Sequence, residues 1–210
     1  MQSAMYPGAR RGRTVLFFLG WGMDPTPFEA MPRAWDTCFV WDYASLDGLP
    51  ALPEGPVDLL AWSMGVWAAT QTLPRERLDS ATAVNGTPWP IDAARGIPPA
   101  VFDATLAALS EAGIAKFRRR MCGGAAATAD FLARAPKRSA DDLAAELEAL
   151  GRAIRERPER PFAWDRAFAC EGDRIFPPAA QRAAFPDALS RPGAHWAPDL
   201  FADLLAGRAP

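Results

Sequence analysis

Three side chains of this sequence have the types and the order needed to attack an ester: a serine, an aspartate and a histidine. Ser63 lies in the segment Ala-Trp-Ser-Met-Gly at residues 61–65, where an apolar segment passes into a helical one. A serine hydroxyl becomes a nucleophile when a neighbouring imidazole takes its proton and a carboxylate orients that imidazole. His195 is the only histidine of the chain, and Asp173 precedes it. A serine at such a junction can also simply cap a helix, so the motif alone is weak evidence.

The elements around Ser63 predict a sharp strand-to-helix turn. Residues 57–62 have the apolar pattern of a buried strand, and residues 64–73 that of a helix, which Pro74 ends. Such a turn, called a nucleophile elbow, exposes the serine hydroxyl and directs the next backbone N–H toward the same point. Ala61 replaces the first glycine of the usual Gly-x-Ser-x-Gly pattern.

The histidine and the aspartate each follow a predicted strand. His195 lies in a loop framed by Gly193 and Pro198, and residues 167–170 predict a strand that leads toward Asp173. The chain order serine, aspartate, histidine is that of α/β-hydrolases, in which the carboxylate holds the imidazole. Asp173 could also be an ordinary turn residue. Three other carboxylates nearby could take its role: Glu171, Asp165 and Asp187.

A glycine-framed loop could supply part of an oxyanion hole. The strongly apolar residues 14–19 predict a strand that runs into Gly20-Trp21-Gly22. The expected donors to a developing oxyanion are the backbone N–H groups of Trp21 and Met64. A plain strand-to-turn junction would explain the glycines equally well, and only the elbow favours the catalytic interpretation.

Strand and helix patterns alternate along the chain and predict an α/β fold. Strands are expected near residues 14–19, 36–41, 57–62, 80–85, 164–170 and 187–190, with residues 14–19 as the first strand. This alternation is typical of a mostly parallel sheet with helices on both faces. We expect a single domain over residues 1–210.

One long interval of the chain has only helical patterns and predicts a lid. Helices are expected near residues 99–109, 111–121, 127–135 and 139–157, which gives a helical insert over about residues 86–161. Some of its apolar side chains should face Ser63 and line an acyl channel. The candidates are Phe102, Leu106, Leu109, Ile114, Phe117 and Phe131.

Composition indicates a globular protein of the cytoplasm. Half of the 210 residues are apolar, which is enough for a substantial core. The three cysteines have no C-x-x-C spacing, so neither a metal site nor a disulfide framework is expected, and no cofactor is implied. The apolar run at residues 15–19 is too short for a signal peptide, and no run approaches the ~20 residues of a membrane span. A net charge of −2 gives no reason to expect nucleic-acid binding.

Several motifs resemble one family, the BioG (DUF452-like) pimeloyl-[acyl-carrier protein] methyl ester esterases. The resemblance extends over nearly the whole chain. The segments that carry it are residues 18–23, 61–67, 85–92, 96–99, 117–123, 173–178 and 193–195. The most specific of them begins with Asn-Gly-Thr-Pro-Trp-Pro at residue 85. One departure from many hydrolases is Leu19, which stands where they carry a histidine.

The resemblance implies an α/β-hydrolase of biotin synthesis that hydrolyses the methyl ester of pimeloyl-[acyl-carrier protein]. It implies Ser63 as nucleophile, His195 as base and Asp173 as the partner of that base. It also implies Trp21 and Met64 as oxyanion donors. An acyl-carrier protein bearing the pimeloyl methyl ester would be the partner.

A basic segment, residues 116–138, is the candidate docking surface for such a partner. It contains seven basic residues against the single acidic Asp130. Acyl-carrier proteins are strongly acidic, and a basic surface steers acidic partners toward it. A solvated helix face would have a similar composition. The expected docking residues are Arg118, Arg119, Arg120 and Arg138.

The sequence leaves other functions open. An acyltransferase or a broad-specificity esterase could use the same fold and the same serine. A non-catalytic module that binds acyl-carrier protein could also keep the fold, although the intact serine, histidine and aspartate argue against it.

Overall fold

Within residues 1–208, the protein is built on a seven-stranded sheet. A computed structural model describes residues 1–208. The strands stand in the order β1-β3-β2-β4-β5-β6-β7, and every neighbouring pair is parallel except β1 and β3. Their bounds are β1 (Gln2–Tyr6), β2 (Thr14–Phe18), β3 (Asp36–Trp41), β4 (Val57–Trp62), β5 (Ser80–Val84), β6 (Arg166–Cys170) and β7 (Leu189–Arg191).

Among the described residues, seven α-helices accompany the sheet, and four of them lie between β5 and β6, in the interval of the helical insert. The insert comprises α2 (Pro99–Ala107), α3 (Glu111–Cys122), α4 (Ala125–Leu132) and α5 (Ala140–Glu156). The other helices are α1 (Met64–Thr72), α6 (Pro178–Ala184) and α7 (Pro198–Leu205). A capping box between Ser139 and Asp142 fixes the start of α5. Within residues 1–208, no helix is both long and apolar enough to cross a membrane.

The central strands form the core. All five residues of β2 are buried, as expected for a parallel strand covered on both faces. Phe17 of β2 packs against Phe201 of α7, and so does Trp62 of β4. Because parallel strands point the same way, the loops after β2, β4, β5 and β6 meet at one edge of the sheet.

The predicted alternation of strands and helices is confirmed, but the expectation that residues 14–19 form the first strand is wrong. The strand at residues 14–18 is the second, and β1 precedes it at the edge of the sheet, antiparallel to β3. Three of the five residues of β1 are exposed, and Met5 keeps 55% of its surface accessible. An edge strand with so little burial carries no apolar run, so hydrophobic periodicity could not reveal it.

Candidate active site

Ser63 sits on a strained turn between β4 and α1. Its backbone has φ 59° and ψ −128°, a region that non-glycine residues seldom adopt. Two glycines permit the close packing around it. A Cβ atom on Gly86 would lie 2.3 Å from the Ser63 carbonyl oxygen, and one on Gly65 would lie 2.5 Å from the carbonyl oxygens of Phe18 and Leu19. Neither position can accept a side chain without moving the turn.

Ser63, His195 and Asp173 form a continuous hydrogen-bonded chain. The distance from Ser63 Oγ to His195 Nε2 is 3.0 Å, and that from His195 Nδ1 to Asp173 Oδ2 is 2.9 Å. All three residues are buried. A carboxylate accepts hydrogen bonds, so Nδ1 carries the imidazole proton and donates a hydrogen bond to Asp173 Oδ2. Nε2 is then free to accept the serine proton.

The Asp173 carboxylate is fixed by further donors. Oδ1 accepts from the backbone N–H groups of Ile175 at 2.7 Å and Phe176 at 2.9 Å. Oδ2 accepts from Gln181 Nε2 at 3.0 Å as well as from His195. Gln181, a buried residue of α6, also donates to the Phe176 carbonyl. These bonds hold the carboxylate in the orientation that the imidazole requires.

The three competing carboxylates lie elsewhere. Glu171 accepts from the Ser190 hydroxyl, Asp165 pairs with Arg75, and Asp187 is exposed. Within residues 1–208, Asp173 is the one carboxylate that contacts His195.

Asn85 holds the histidine loop and was not singled out individually from the sequence. It is fully buried, with φ 46°, directly after β5. Its Nδ2 donates to the carbonyls of Ala194 at 3.1 Å and His195 at 3.0 Å, while its Oδ1 accepts from the Cys170 N–H. Trp62 Nε1 gives the His195 carbonyl a second donor at 3.1 Å. The sequence signal for Asn85 is its position: it is a polar residue directly after a buried strand, at the carboxyl ends of the parallel strands.

A pocket of about 550 Å³, including its open mouth, opens onto Ser63 and His195. The predicted oxyanion donors Trp21 and Met64 also line it. In the described part of the chain, neither of their backbone N–H groups has a hydrogen-bond acceptor. Two unpaired donors in buried residues beside the serine hydroxyl are available to an oxyanion.

The helical insert supplies most of the other pocket walls, which are largely apolar. Phe102 and Phe117, two of the six candidates, line the pocket. Phe131 instead packs against Trp196, with ring centroids 5.2 Å apart. The further lining residues between β5 and β6 are Ile97, Val101, Thr105, Arg120, Met121 and Leu147.

The basic segment is partly on the surface and partly used inside the fold. Arg119 and Arg120 are exposed, and Arg118 is half-buried. The expectation for Arg138 is contradicted. Its side chain is only 9% exposed and forms ion pairs with Glu146 and, at 3.2 Å, with Asp42. Its charge is therefore neutralised within the protein rather than offered to a partner.

The mostly parallel sheet, the serine turn after β4 and the insert between β5 and β6 define an α/β-hydrolase. Within this class the chain belongs to the BioG family. The family model described as "Pimeloyl-ACP methyl esterase BioG" matches residues 2–193.

The chain resembles one solved structure of the BioG family and others that share only its fold. The crystal structure of BioG from Haemophilus influenzae is 33% identical, with a TM-score of 0.89, and the match covers 98% of this chain and 99% of that one. A lipase-esterase related protein from Clostridium acetobutylicum is 11% identical with a TM-score of 0.63 over 98% of this chain and 96% of its own, which shows the fold alone.

A curated relative from Bacteroides fragilis is named malonyl-[acyl-carrier protein] O-methyltransferase. It is 45% identical over 209 residues, which are 95% of this chain but 42% of that relative. The chain thus spans less than half the length of this relative.

Proposed function

We propose that this chain is a serine carboxylesterase that hydrolyses the methyl ester of pimeloyl-[acyl-carrier protein] and releases methanol during biotin synthesis. The observation that carries the proposal is the hydrogen-bonded chain from Ser63 through His195 to Asp173 at an apolar pocket. Membership of a family described as pimeloyl-ACP methyl esterases supports the choice of substrate.

In the first half-reaction, Ser63 Oγ attacks the ester carbonyl carbon while His195 Nε2 takes the hydroxyl proton. The carbonyl oxygen becomes an oxyanion and accepts from the N–H groups of Trp21 and Met64. Asp173 stabilises the imidazolium that forms. When the tetrahedral intermediate collapses, the bond to the methoxy oxygen breaks, and His195 returns the proton so that methanol leaves. Ser63 now carries the pimeloyl chain as an ester.

In the second half-reaction, water replaces methanol. His195 takes one proton from the water molecule, whose oxygen attacks the acyl-serine carbonyl. The same two N–H groups donate to the second oxyanion. Collapse breaks the bond to Ser63 Oγ, the serine recovers its proton, and the pimeloyl carboxylate is released on its carrier.

The methyltransferase name of the Bacteroides fragilis relative is compatible with this proposal. This chain matches 42% of that relative, so the named methyl transfer can reside in the rest of it. The name places that transfer on malonyl-[acyl-carrier protein], whereas the hydrolysis proposed here acts on pimeloyl-[acyl-carrier protein]: one activity adds a methyl group to a carrier-bound acyl chain and the other removes one.

The pocket walls favour a slender acyl chain. Phe102, Phe117 and Leu147 line the pocket at Ser63 with apolar surface, which suits methylene groups. We expect kcat/KM to be higher for methyl esters of straight aliphatic acids than for methyl esters of bulky aromatic acids. Spectrophotometric or pH-stat assays of the two series check this. Faster hydrolysis of the bulky series would contradict the assigned pocket.

Lys116 and Arg119 of α3 are the best-placed residues for electrostatic docking. Both are exposed, and neither forms an ion pair within residues 1–208. Arg120, on the same helix, is exposed and lines the pocket. A carrier protein that docks on α3 would thus rest beside the pocket, and its long prosthetic arm could deliver the ester to Ser63.

Reversing these two charges should therefore affect only the carrier-bound substrate. For Lys116→Glu with Arg119→Glu, we expect KM for carrier-bound methyl pimeloyl ester to rise about tenfold or more, mainly because association slows. The kcat for a small free ester should stay unchanged. Added salt should reduce the difference in KM for the carrier-bound ester between wild type and the double variant, because the screening length falls to ~10 Å near 0.1 M.

Arg77 provides the matched control for this experiment. It is exposed and forms no ion pair in the described chain. It precedes β5 at the amino ends of the parallel strands, opposite the carboxyl ends where the site lies. Arg77→Glu should leave both substrates unaffected. If the α3 double variant matched wild type on the carrier-bound ester at low salt, docking on α3 would be excluded while the esterase proposal stood.

The proposal itself is tested by methanol release. Wild-type protein incubated with methyl pimeloyl-[acyl-carrier protein] should release methanol stoichiometrically and leave the free carboxylate on the carrier. Ser63→Ala protein should release none above background. A Ser63→Ala rate equal to that of wild type would reject the proposal.

A further inference from the structure

Glu146 is a buried acidic residue that the reaction described above does not use. It lies on α5, and its side chain has no exposed surface. Burial raises the pKa of its carboxyl, while the adjacent Arg138 opposes that rise. Every hydrogen-bond partner of the carboxyl is a donor, so the ionised form is the one that these contacts can satisfy. A buried charge is costly, which makes its position in the fold informative.

The partners of Glu146 belong to loops at the edge of the active site. Oε2 accepts from the backbone N–H of Gly22 at 3.2 Å, next to the oxyanion donor Trp21. Oε1 accepts from the backbone N–H of Tyr43 at 2.9 Å. The Tyr43 hydroxyl in turn donates to the carbonyl of Leu19, just before the oxyanion loop, at 2.7 Å. One carboxylate thus ties both loops to α5.

The same face of α5 makes other contacts with the oxyanion loop. The Leu143 carbonyl accepts from Trp21 Nε1 at 3.0 Å, one helical turn before Glu146. Leu147, the next residue after Glu146, lines the pocket. Gly22 has φ 73°, and without a Cβ atom it could adopt several conformations at little cost. Its hydrogen bond to Glu146 selects one of them and so fixes the adjacent Trp21 peptide.

From this geometry we infer that Glu146, held by Arg138, is a positioning residue that aims the Trp21 N–H at the oxyanion. The inference rests on the proposed function, because it assigns a role within that oxyanion hole. It also gives a reason for the largely buried side chain of Arg138: its guanidinium donates to the Glu146 carboxyl and holds it in place. Since α5 belongs to the helical insert, the position of the insert and the geometry of the oxyanion hole are coupled.

Glu146→Gln tests this role, because glutamine keeps the shape but offers one acceptor instead of two. Removal of an oxyanion donor costs about 10²–10³ in kcat, so a misaimed donor should lower kcat for p-nitrophenyl butyrate about tenfold. KM should change less than about twofold, since ground-state binding does not need the oxyanion. Glu148→Gln is the matched control: Glu148 is exposed on the same helix, and its variant should behave as wild type.

A pair of inhibitors separates positioning from a general structural effect. Ser63 Oγ adds to the carbonyl carbon of an alkyl trifluoromethyl ketone. The hydroxyl proton passes to His195, and the ketone oxygen becomes an oxyanion. The matching alkyl methyl ketone occupies the pocket without forming a stable adduct. For Glu146→Gln we expect Ki of the trifluoromethyl ketone to rise by about the same factor as kcat falls, with Ki of the methyl ketone unchanged.

Glu146→Asp is the second variant, in case the glutamine variant does not fold. Aspartate keeps the charge beside Arg138, but it is one methylene shorter and cannot reach both backbone N–H groups. The same pattern of kcat and Ki is expected. Wild-type kcat and Ki in a folded variant, or an equal loss for both ketones, would overturn the inference. If instead the wild-type protein hydrolysed no ester and a fluorophosphonate did not label Ser63, the proposed function would fail first and this inference with it.

Discussion

Ser63→Ala is expected to lower kcat for the carrier-bound methyl ester by about 10⁴-fold or more. The hydroxyl that forms the acyl-enzyme would be gone, while the pocket and the oxyanion donors would remain. KM should change little, because the pocket walls bind the acyl chain without the hydroxyl. Steady-state methanol release and labelling by a fluorophosphonate measure the two consequences directly.

His195→Ala should give a loss of similar size, because serine, histidine and aspartate act as one unit. Both variants should fold, as judged by circular dichroism and thermal melting. His195→Ala removes more packing than Ser63→Ala does, since the imidazole ring stacks on Phe176 with centroids 5.9 Å apart. Near-wild-type turnover by Ser63→Ala would show that another nucleophile operates.

Asp173→Asn is expected to lower kcat by about 10⁴-fold while leaving the fold intact. Asparagine could accept from the N–H groups of Ile175 and Phe176 through its one oxygen. Its amide nitrogen would then face His195 Nδ1 as a donor. The imidazole would be driven to the tautomer with its proton on Nε2, which cannot accept from Ser63. The kcat for the methyl ester, measured beside the melting temperature, separates this effect from unfolding.

Glu171→Gln is the matched control for Asp173→Asn. Glu171 lies two residues away but contacts the Ser190 hydroxyl rather than His195. We expect its kcat to equal that of wild type. The opposite result, an active Asp173→Asn and an inactive Glu171→Gln, would assign the orienting carboxylate to Glu171.

Local sequence signals were sufficient to predict the central sheet and the serine turn. β4 is apolar except for Asp58, and the turn at Ser63 needs small neighbours that are visible in the sequence. The helices of the insert follow from their own periodicity and caps, such as Ser139 before α5. The exposed edge strand β1 lacked such a signal, because its pairing with β3 depends on backbone hydrogen bonds rather than on an apolar pattern.

The residues that support the site could not be predicted in the same way. Gln181, Asn85 and Glu146 act through contacts that depend on how distant segments pack. Glu146 and Gly22, for example, are 124 positions apart in the chain. One sequence signal existed for Glu146, since it shares the apolar face of α5 with Leu143 and Leu147. Arg138 was expected at a docking surface but is paired inside the fold. A run of basic residues in the sequence does not reveal which charge is paired in this way.

Hydrolysis of methyl pimeloyl-[acyl-carrier protein] in ¹⁸O-labelled water is the most direct test of the central claim. Mass spectrometry of the carrier-bound product and of the released methanol locates the label. If Ser63 forms an acyl-enzyme that water resolves, one labelled oxygen appears in the pimeloyl carboxylate and the methanol stays unlabelled. A product carboxylate without label, with the methyl group moved to water or another acceptor, would show cleavage on the methyl side and contradict the serine esterase account.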